Sequence, residues 1–490
     1  MIDLLPSARR FSAWVTPVLL FSVAEELFAR GTEGLWIALL MVVAPLLGLL
    51  PASRRDPLPA HPVLTAALLP LAVLLLWANL LLAGGVAARM GLSQGSGVLV
   101  ASAAMLIVGA DERAWRCAPA LGLVALVLLF TPLAMIVGAA GKWPLATWNQ
   151  VASLPAFRFS SDSPWVTEGR PLVPHRGADT LLFEEQHRIT AVADGPVRVL
   201  GGDSGRARAQ EWTLTANQSL TLRPGDRLVV EPGRVLRFEA AKRIPGAPAS
   251  GVSWAELPRD PLLPRLLSVL GLGLTLVGGA SALLLYERGR SISPVGAVMT
   301  GAGYLLALAW AQGWAVYAAA LTPELFLGGV TPEKLFELPA QGLRAGPGRP
   351  LAVWLLLLGG FTALLATGAS LRGLLARGVE GRRLWVWGGM LAGAALLATF
   401  WPLDPWRVLL VAFGLGASTL GPLLWIGIPK RPVALGLAVG GGLLSFAALA
   451  VLAPLLSDSG GWARTVLSYP ALAAGPVTAW LAWVGRRLGG

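Results

Sequence analysis

Long apolar runs separated by short charged turns form the dominant pattern of this chain. A run of about 18 or more apolar residues can cross a hydrocarbon core of roughly 30 Å as a helix. The pattern predicts a polytopic membrane bundle of about twelve transmembrane helices, with five before residue 141 and seven after residue 262. The predicted spans are residues 11–29, 33–51, 62–85, 92–110, 118–140, 263–286, 293–320, 350–371, 384–402, 407–428, 432–456 and 465–485.

The first apolar run is the shortest and allows two interpretations. Phe11–Ala24 is followed directly by Glu25 and Glu26. The run is either a span with the two glutamates at the outer interface or a helix lying in that interface, which would place the N-terminus outside. The Arg9/Arg10 pair before it favours the span.

Residues 141–262 interrupt the apolar pattern with a segment that has the charge density of a soluble domain. Its second half alternates apolar and polar residues in short runs, such as Arg188–Val192 and Arg227–Val230, between Gly, Pro, Asp and Asn residues. Alternation with a period of two predicts strands joined by turns. We therefore expect a small antiparallel β-sandwich or jelly roll, inserted between membrane bundles at residues 1–140 and 263–490.

One stretch of this segment resembles a known turn-strand-turn motif. Pro224–Gly233 is similar to the second characteristic motif of cupin-type jelly rolls. Cupins that bind metal place a His shortly after such a Pro-Gly pair, and residues 234–238 contain none. The resemblance implies a jelly-roll shape without the metal site.

The loop at residues 321–349 repeats a helix-start signal. Thr322 and Thr331 are each followed by Pro and then Glu. Thr as N-cap, Pro at the first helical position and Glu in the first turn are typical of helix N-termini. The repeat predicts two short helices with apolar faces, lying in the outer membrane interface.

Composition excludes a soluble globular enzyme. The chain has 490 residues, of which 55% are apolar and 13% are charged, and its mean hydropathy is +0.65. Soluble domains carry about 25% charged residues, and half that amount cannot cover a globule of this size with a solvated surface.

The chain has a net charge of +12, and its basic residues lie in short loops between apolar runs. This distribution indicates the orientation in a membrane rather than a surface that binds nucleic acid. Basic pairs or clusters occupy every second loop, and such loops stay cytoplasmic. Both termini are therefore predicted to be cytoplasmic and residues 141–262 periplasmic or extracellular, in the cytoplasmic (inner) membrane of a bacterium. The predicted cytoplasmic residues are Arg9/Arg10, Arg54/Arg55, Arg113/Arg116, Arg288/Arg290, Arg372/Arg377/Arg382/Arg383, Lys430/Arg431 and Arg486/Arg487.

Candidates for metal or cofactor chemistry are scarce. The chain has one cysteine, Cys117, and three histidines, His61, His175 and His187, none in the middle of an apolar run. We expect no disulfide, zinc site, iron–sulfur cluster or other cofactor. Glu184–His187 lies between two predicted strands and is interpreted as a hydrated loop.

Polar side chains within apolar runs are functional hypotheses because burying them in hydrocarbon costs several kcal/mol. Each candidate has a simpler interpretation: a hydrogen bond between helices, aromatic packing, or charges that sit at an interface or cap a helix. The candidate intramembrane polar and aromatic site is Asn79, Trp310, Gln312 and Trp314, and the candidate outer-interface acids are Glu25, Glu26, Glu324 and Glu333.

Small residues recur at four-residue spacing in several predicted spans, which lets helix backbones approach closely. They indicate either internal packing or docking faces for other membrane subunits. The motifs are Gly271-x3-Thr275-x3-Gly279, Gly389-x3-Gly393, Gly414-x3-Ser418 and Gly436-x3-Gly440.

Three functions are compatible with these features. The leading hypothesis is a non-catalytic membrane subunit or scaffold of a bacterial cell-envelope complex, whose partners are the bilayer and other membrane or periplasmic proteins. The first alternative is a transporter or flippase for a lipid-linked or amphiphilic substrate. The second is a membrane enzyme acting on lipid-linked glycans at the outer leaflet, with Glu324, Glu333, Glu337 and Arg344 as its candidates. No catalytic residue is assigned and no nucleic-acid partner is expected.

Overall fold

Helices make up most of the chain. The computed structural model describes residues 7–8, 10–11, 14–52, 62–110, 116–159, 164–167, 180–201, 209–230, 234–256, 262–283, 293–327, 331–343, 346–375, 383–455 and 468–487. Within these ranges, eight helical segments are long and apolar enough to cross a membrane, and Gln94–Ala110 and Leu384–Phe400 are shorter apolar helices. These segments indicate a multi-pass membrane protein, although they do not establish the predicted number of twelve spans.

The helices fall into two groups on either side of the β region. The first group is α1 (Pro17–Arg30), α2 (Gly34–Ala52), α3 (Pro62–Arg89), α4 (Gln94–Ala110), α5 (Ala118–Ala140) and the short α6 (Pro144–Ala152). The second group is the short α7 (Gly251–Ala255), α8 (Leu262–Leu283), α9 (Pro294–Leu321), the short α10 (Leu338–Gly342), α11 (Gly348–Leu375), α12 (Arg383–Phe400), α13 (Pro405–Ile426), α14 (Pro432–Leu455) and α15 (Ala471–Arg487).

Helix α1 has well-defined ends. The Thr16 side chain accepts a hydrogen bond from the backbone N–H of Leu19, and Pro17 occupies the first turn. Gly31 ends the helix with a φ of +53°, a conformation that favours glycine. A 3-10 turn, Gly31–Glu33, then reverses the chain into α2.

The same helix lies in the centre of the bundle. Every residue from Pro17 to Phe28 is buried. Helix α2 returns alongside it, since Trp14 Nε1 donates to the Met41 carbonyl at 2.9 Å and Gly34 packs against the Glu26 carbonyl. Such complete burial is expected for a helix inside the bundle, whereas a helix at a membrane surface would expose one face.

Glycine permits a close helix crossing between α8 and α13. A Cβ atom on Gly278 would lie 2.3 Å from Ala417 Cα, and one on Gly279 would lie 2.6 Å from the Phe413 ring. A Cβ on Gly421 would in turn lie 3.0 Å from Gly278 Cα. The small residues of these two helices thus serve internal packing.

Two other small-residue motifs face away from the rest of the bundle. A Cβ atom on Gly389, Gly393, Gly436 or Gly440 would meet no atom within 4 Å in the part of the chain that the structure describes. Because glycine has no side chain, the outer surfaces of α12 and α14 are shallow at these positions.

Within its described residues, the separate β region has eight short antiparallel strands in two sheets. The strand order is β1-β8-β3-β6 in one sheet and β2-β7-β4-β5 in the other. In β4, Val197 and Val199 are buried while Arg198 is exposed, which confirms the predicted alternation. The strands are β1 (Pro164–Thr167), β2 (Thr180–Leu182), β3 (His187–Ala191), β4 (Gly195–Leu200), β5 (Ala209–Leu214), β6 (Ser219–Leu222), β7 (Arg227–Val230) and β8 (Arg234–Phe238).

The loop after α9 differs from its prediction in structure. Its two helix-start signals form 3-10 helices, Pro323–Phe326 and Pro332–Glu337, and neither preceding threonine makes a side-chain capping bond. Thr322 Oγ1 instead donates to the Ala318 carbonyl at 3.0 Å. Most of its described residues are buried, and two of its phenylalanines pack on α1. We call residues 322–327 and 331–337 the buried loop.

Candidate functional site

Aromatic stacking holds the buried loop against α1. Phe326 stacks on Phe28 and Phe336 stacks on Phe21, each with 4.1 Å between ring centroids. Phe21, Glu25 and Phe28 share one face of α1 because residues three and four apart are neighbours on a helix. Glu25 therefore faces the buried loop between the two ring pairs.

Five ionisable side chains are buried at this end of the bundle. We call Glu25, Glu26, Glu324, Glu333 and Lys334 the charged cluster; each is between 2% and 6% exposed. The structure thus brings all four candidate acids to α1 and the buried loop, and it buries them more deeply than interfacial charges. Lys334 was not among the predicted candidate residues, although it directly follows the candidate acid Glu333 in the Thr-Pro-Glu-Lys sequence.

The side chains of Glu333 and Lys334 contact two different backbone segments. A Cβ atom on Gly85 of α3 would lie 3.1 Å from the Glu333 carboxyl carbon, so this carboxyl group rests against a helix backbone. Lys334 Nζ donates a hydrogen bond to the Leu327 carbonyl at 2.9 Å. The two side chains join the buried loop to α3 and to its own preceding turn.

Two ion pairs lie at the border of the charged cluster, and one of them includes its member Glu26. Arg30 Nε lies 2.8 Å from Glu26 Oε2, one helical turn away in α1. Arg89, at the end of α3, pairs with Glu337 of the buried loop. Both arginine side chains are partly exposed, at 39% for Arg30 and 15% for Arg89.

The two tryptophans of the predicted aromatic and polar site are packed in the core of the bundle. Trp310 and Trp314 are fully buried and stacked with 4.9 Å between ring centroids. Trp310 Nε1 donates to the Leu129 carbonyl at 2.8 Å, and Trp314 Nε1 donates to the Leu335 carbonyl at 2.9 Å. Gln312 is only half-buried. The indoles therefore hold helices and the buried loop together, and Trp310 also lines a small cavity.

Asn79 is buried in α3 and hydrogen-bonds within its own helix. Its Nδ2 donates to the Leu75 carbonyl at 2.7 Å. Its Oδ1 has no hydrogen-bond partner among the described residues. The predicted interhelical hydrogen bond is thus not formed by this oxygen.

A small apolar cavity lies between the N-terminal part of α1 and helices α5, α9 and α11. It offers about 20 Å³, and its walls include Pro17, Gly122, Ala307 and Ala363. A water molecule needs about 10–15 Å³ measured in this way. The cavity is therefore too small for a lipid or a sugar.

The base of the β region is fastened to the end of α1. Trp254 of α7 is 1% exposed, and its Nε1 donates to the Phe28 carbonyl at 2.8 Å. Its ring packs on Trp148 of α6 with 4.5 Å between centroids. A Cβ atom on Gly31 would lie 1.9 Å from the Trp254 carbonyl oxygen, so only glycine allows this approach. We call these contacts the Trp254 clamp.

The predicted hydrated loop is confirmed for residues 184–186, which lie exposed or half-buried between β2 and β3, but it is wrong for His187. It begins β3 and is 1% exposed. Burial lowers the pKa of His187 below its ordinary value of 6.5; the nearby Lys242 charge also lowers it, while Glu185 and Glu239 oppose the shift. The imidazole is therefore neutral at pH 7. Nearby acids in the sequence suggested hydration, but the fold directs the ring inward.

Within the described ranges, no three or more His, Cys, Asp and Glu side chains form a group that could hold a metal ion. No protein-family model matches the chain, and no curated protein matches its sequence.

Proposed function

We propose that this protein is a non-catalytic integral membrane subunit of a bacterial cell-envelope complex, which docks partner proteins through its β region and its outer helix surfaces. The observation that carries the proposal is the Trp254 clamp. It fixes the β region to the central helix of the bundle, next to a core that contains buried tryptophans. Such a structure is suited to holding a binding module at a defined place above a membrane.

The finer architecture belongs to the same proposal. We infer about twelve spans in a 5+7 arrangement, with both termini cytoplasmic, from the alternating basic loops. We infer a jelly roll for the β region because its two four-stranded sheets have the orders 1-8-3-6 and 2-7-4-5. Residues 141–262 would then lie in the periplasm, on the side where partners can reach them.

Exposed apolar side chains occur at several places on the β region, and we propose the edge strand β5 as the docking surface. Leu182, Val192 and Trp212 are between 40% and 44% exposed. Trp212 lies on β5, which pairs only with β4 among the described strands and so forms a sheet edge. Exposed aromatic residues are enriched in protein interfaces, and sheet edges accept an added strand.

Site-specific crosslinking tests this surface. A photoreactive amino acid at position 212 is expected to capture another chain of one defined mass in native membranes. The same amino acid at position 188, which is exposed on the central strand β3 of the other sheet, is the matched control and is expected to capture no other chain. Crosslinks at position 212 to many masses, or to none, would contradict docking at this edge.

The burial of the charged cluster favours a second candidate function. Five buried ionisable side chains are costly in a membrane bundle, and such groups often serve transport. A transporter or flippase for an amphiphilic substrate would lose flux in reconstituted liposomes on the Glu333→Gln substitution, while Glu211→Gln, on the exposed face of β5, would not. An outer-leaflet enzyme would use the same acids, and its candidate Arg344 lies outside the described residues.

A further inference from the structure

His187 is enclosed by three phenylalanine rings. The ring centroids of Phe183, Phe159 and Phe238 lie 5.1, 5.9 and 6.3 Å from that of the imidazole. Neither ring nitrogen has a hydrogen-bond partner among the described residues. A neutral imidazole is tolerated here, but an imidazolium would bring two N–H donors and a charge into a site without acceptors. We call this arrangement the His187 cage.

The cage is built from the segment that attaches the β region to the bundle. The backbone N–H of Phe159 donates to the Lys242 carbonyl, and the N–H of Ala241 donates to the Phe159 carbonyl, both at 2.9 Å. Two residues earlier, Phe157 packs on Phe326 of the buried loop with 5.0 Å between ring centroids. One short segment thus forms a wall of the cage and a contact with the membrane bundle.

The charges around the cage come from each neighbouring segment. Glu185 precedes β3, and Glu239 and Lys242 follow β8. Arg158 lies 3.7 Å from Glu185, and Arg243 also binds this carboxylate through its backbone N–H. Glu185 is therefore held by other donors rather than by the imidazole.

Two further groups complete these surroundings. Arg243 pairs with Glu184 in the same turn. From β6, the residue opposite His187 is the neutral Leu222. No acid of these segments accepts a hydrogen bond from the imidazole as the residues are described.

We propose that His187 is a proton-operated release for the β region: uptake of one proton expels the imidazole from the cage and loosens the attachment of the β region to the bundle. The expelled ring would separate Phe159 from its neighbours and disturb the adjoining Phe157–Phe326 contact. A soluble module that binds partners would then change its hold on the membrane part with pH.

The direction of the pH dependence follows from burial. His187 has a pKa below 6.5 when enclosed and about 6.5 when released. The enclosed state is fully stable above pH ~6.5 and loses stability as the pH falls from there toward the lowered pKa. Over that interval the ratio of enclosed to released molecules falls by up to about tenfold per pH unit, since one proton is bound.

Hydrogen–deuterium exchange on the full chain in lipid nanodiscs tests the proposal between pH 7.5 and 5. Protection factors, corrected for the intrinsic pH dependence of exchange, are expected to fall first in residues 157–159 and 183–191, by up to about tenfold per pH unit. The crossing of α8 and α13 is expected to stay protected. His187→Leu is expected to remove the fall, and the paired control His61→Gln/His175→Gln is expected to keep it.

Two results would overturn the proposal. One is a wild-type chain whose protection factors do not change over this interval. The other is an unchanged fall in the His187→Leu variant. If this variant does not fold, the wild-type profile decides alone, because a fall spread evenly over the β region would also contradict a release that starts at the His187 cage.

Discussion

Gly278→Ala is expected to separate α8 from α13 and to destabilise the bundle strongly. The added methyl carbon would lie 2.3 Å from Ala417 Cα, which belongs to the backbone of a buried helix and cannot turn away as a long side chain could. Overpacking of this kind costs about 1–3 kcal/mol and occasionally more. Thermal unfolding of the purified protein in detergent should show a lower midpoint, with less folded protein recovered from membranes.

Gly436→Ala is the matched control for that prediction. It also replaces a glycine within a long apolar helix, but the added carbon would meet no atom within 4 Å of the described structure. Alanine favours the helix by up to about 1 kcal/mol over glycine. Stability should therefore stay unchanged or rise. Equal losses in the two variants would refute the assignment of Gly278 to a close internal crossing.

Trp254→Ala is expected to have the largest effect on the Trp254 clamp. The substitution removes a fully buried indole, its hydrogen bond to the Phe28 carbonyl and its packing on Trp148. Large-to-small changes of a buried tryptophan cost about 3–5 kcal/mol. Limited proteolysis should then cut between the β region and the bundle at protease concentrations that leave the wild type intact.

Two further variants separate the contributions of packing and hydrogen bonding. Trp254→Phe keeps much of the aromatic contact and loses the hydrogen bond, so its effect should be intermediate. Trp212→Ala removes a tryptophan that is 43% exposed and should change stability by less than about 0.5 kcal/mol. Resistance of Trp254→Ala to proteolysis at the wild-type level would mean that other contacts hold the β region.

Local patterns predicted strands β2 to β8 and most of the long apolar helices, but not β1 or the short helices α6 and α7. Period-two alternation located strands such as Val197–Leu200, and apolar length located most membrane helices. The strand order was not predictable, because β1 pairs with β8 across about 70 residues of chain, and no local pattern encodes such a pairing. Because the strands are short, their sequence pattern predicted the class of fold but not the order of the strands.

The burial of the charged cluster depends on contacts between distant parts of the chain. Glu25 and Glu26 end an apolar run, which is typical of charges at an interface. They are buried because Phe326 and Phe336, some 300 residues later, stack on the same helix. A single sequence shows the phenylalanines and the acids but not their association. The same reasoning applies to His187, whose cage includes Phe238 from another strand.

For the small-residue motifs, too, the sequence predicted a local feature but not the contacts that it makes. Four-residue spacing correctly marked positions where backbones can approach, but it could not separate the inward motif of α13 from the outward motif of α14. The difference lies in which face each helix turns to its neighbours, and spans that are apolar on all sides carry no amphipathic signal that would show it.

The central claim is that this protein works as a fixed part of a larger assembly. Native mass spectrometry of particles extracted directly from the source membrane into nanodiscs tests it most directly. We predict a particle in which the 51.2 kDa chain is accompanied by at least one other protein in constant ratio, and in which that protein is lost on Trp254→Ala. A uniform particle that contains this chain alone would contradict the account.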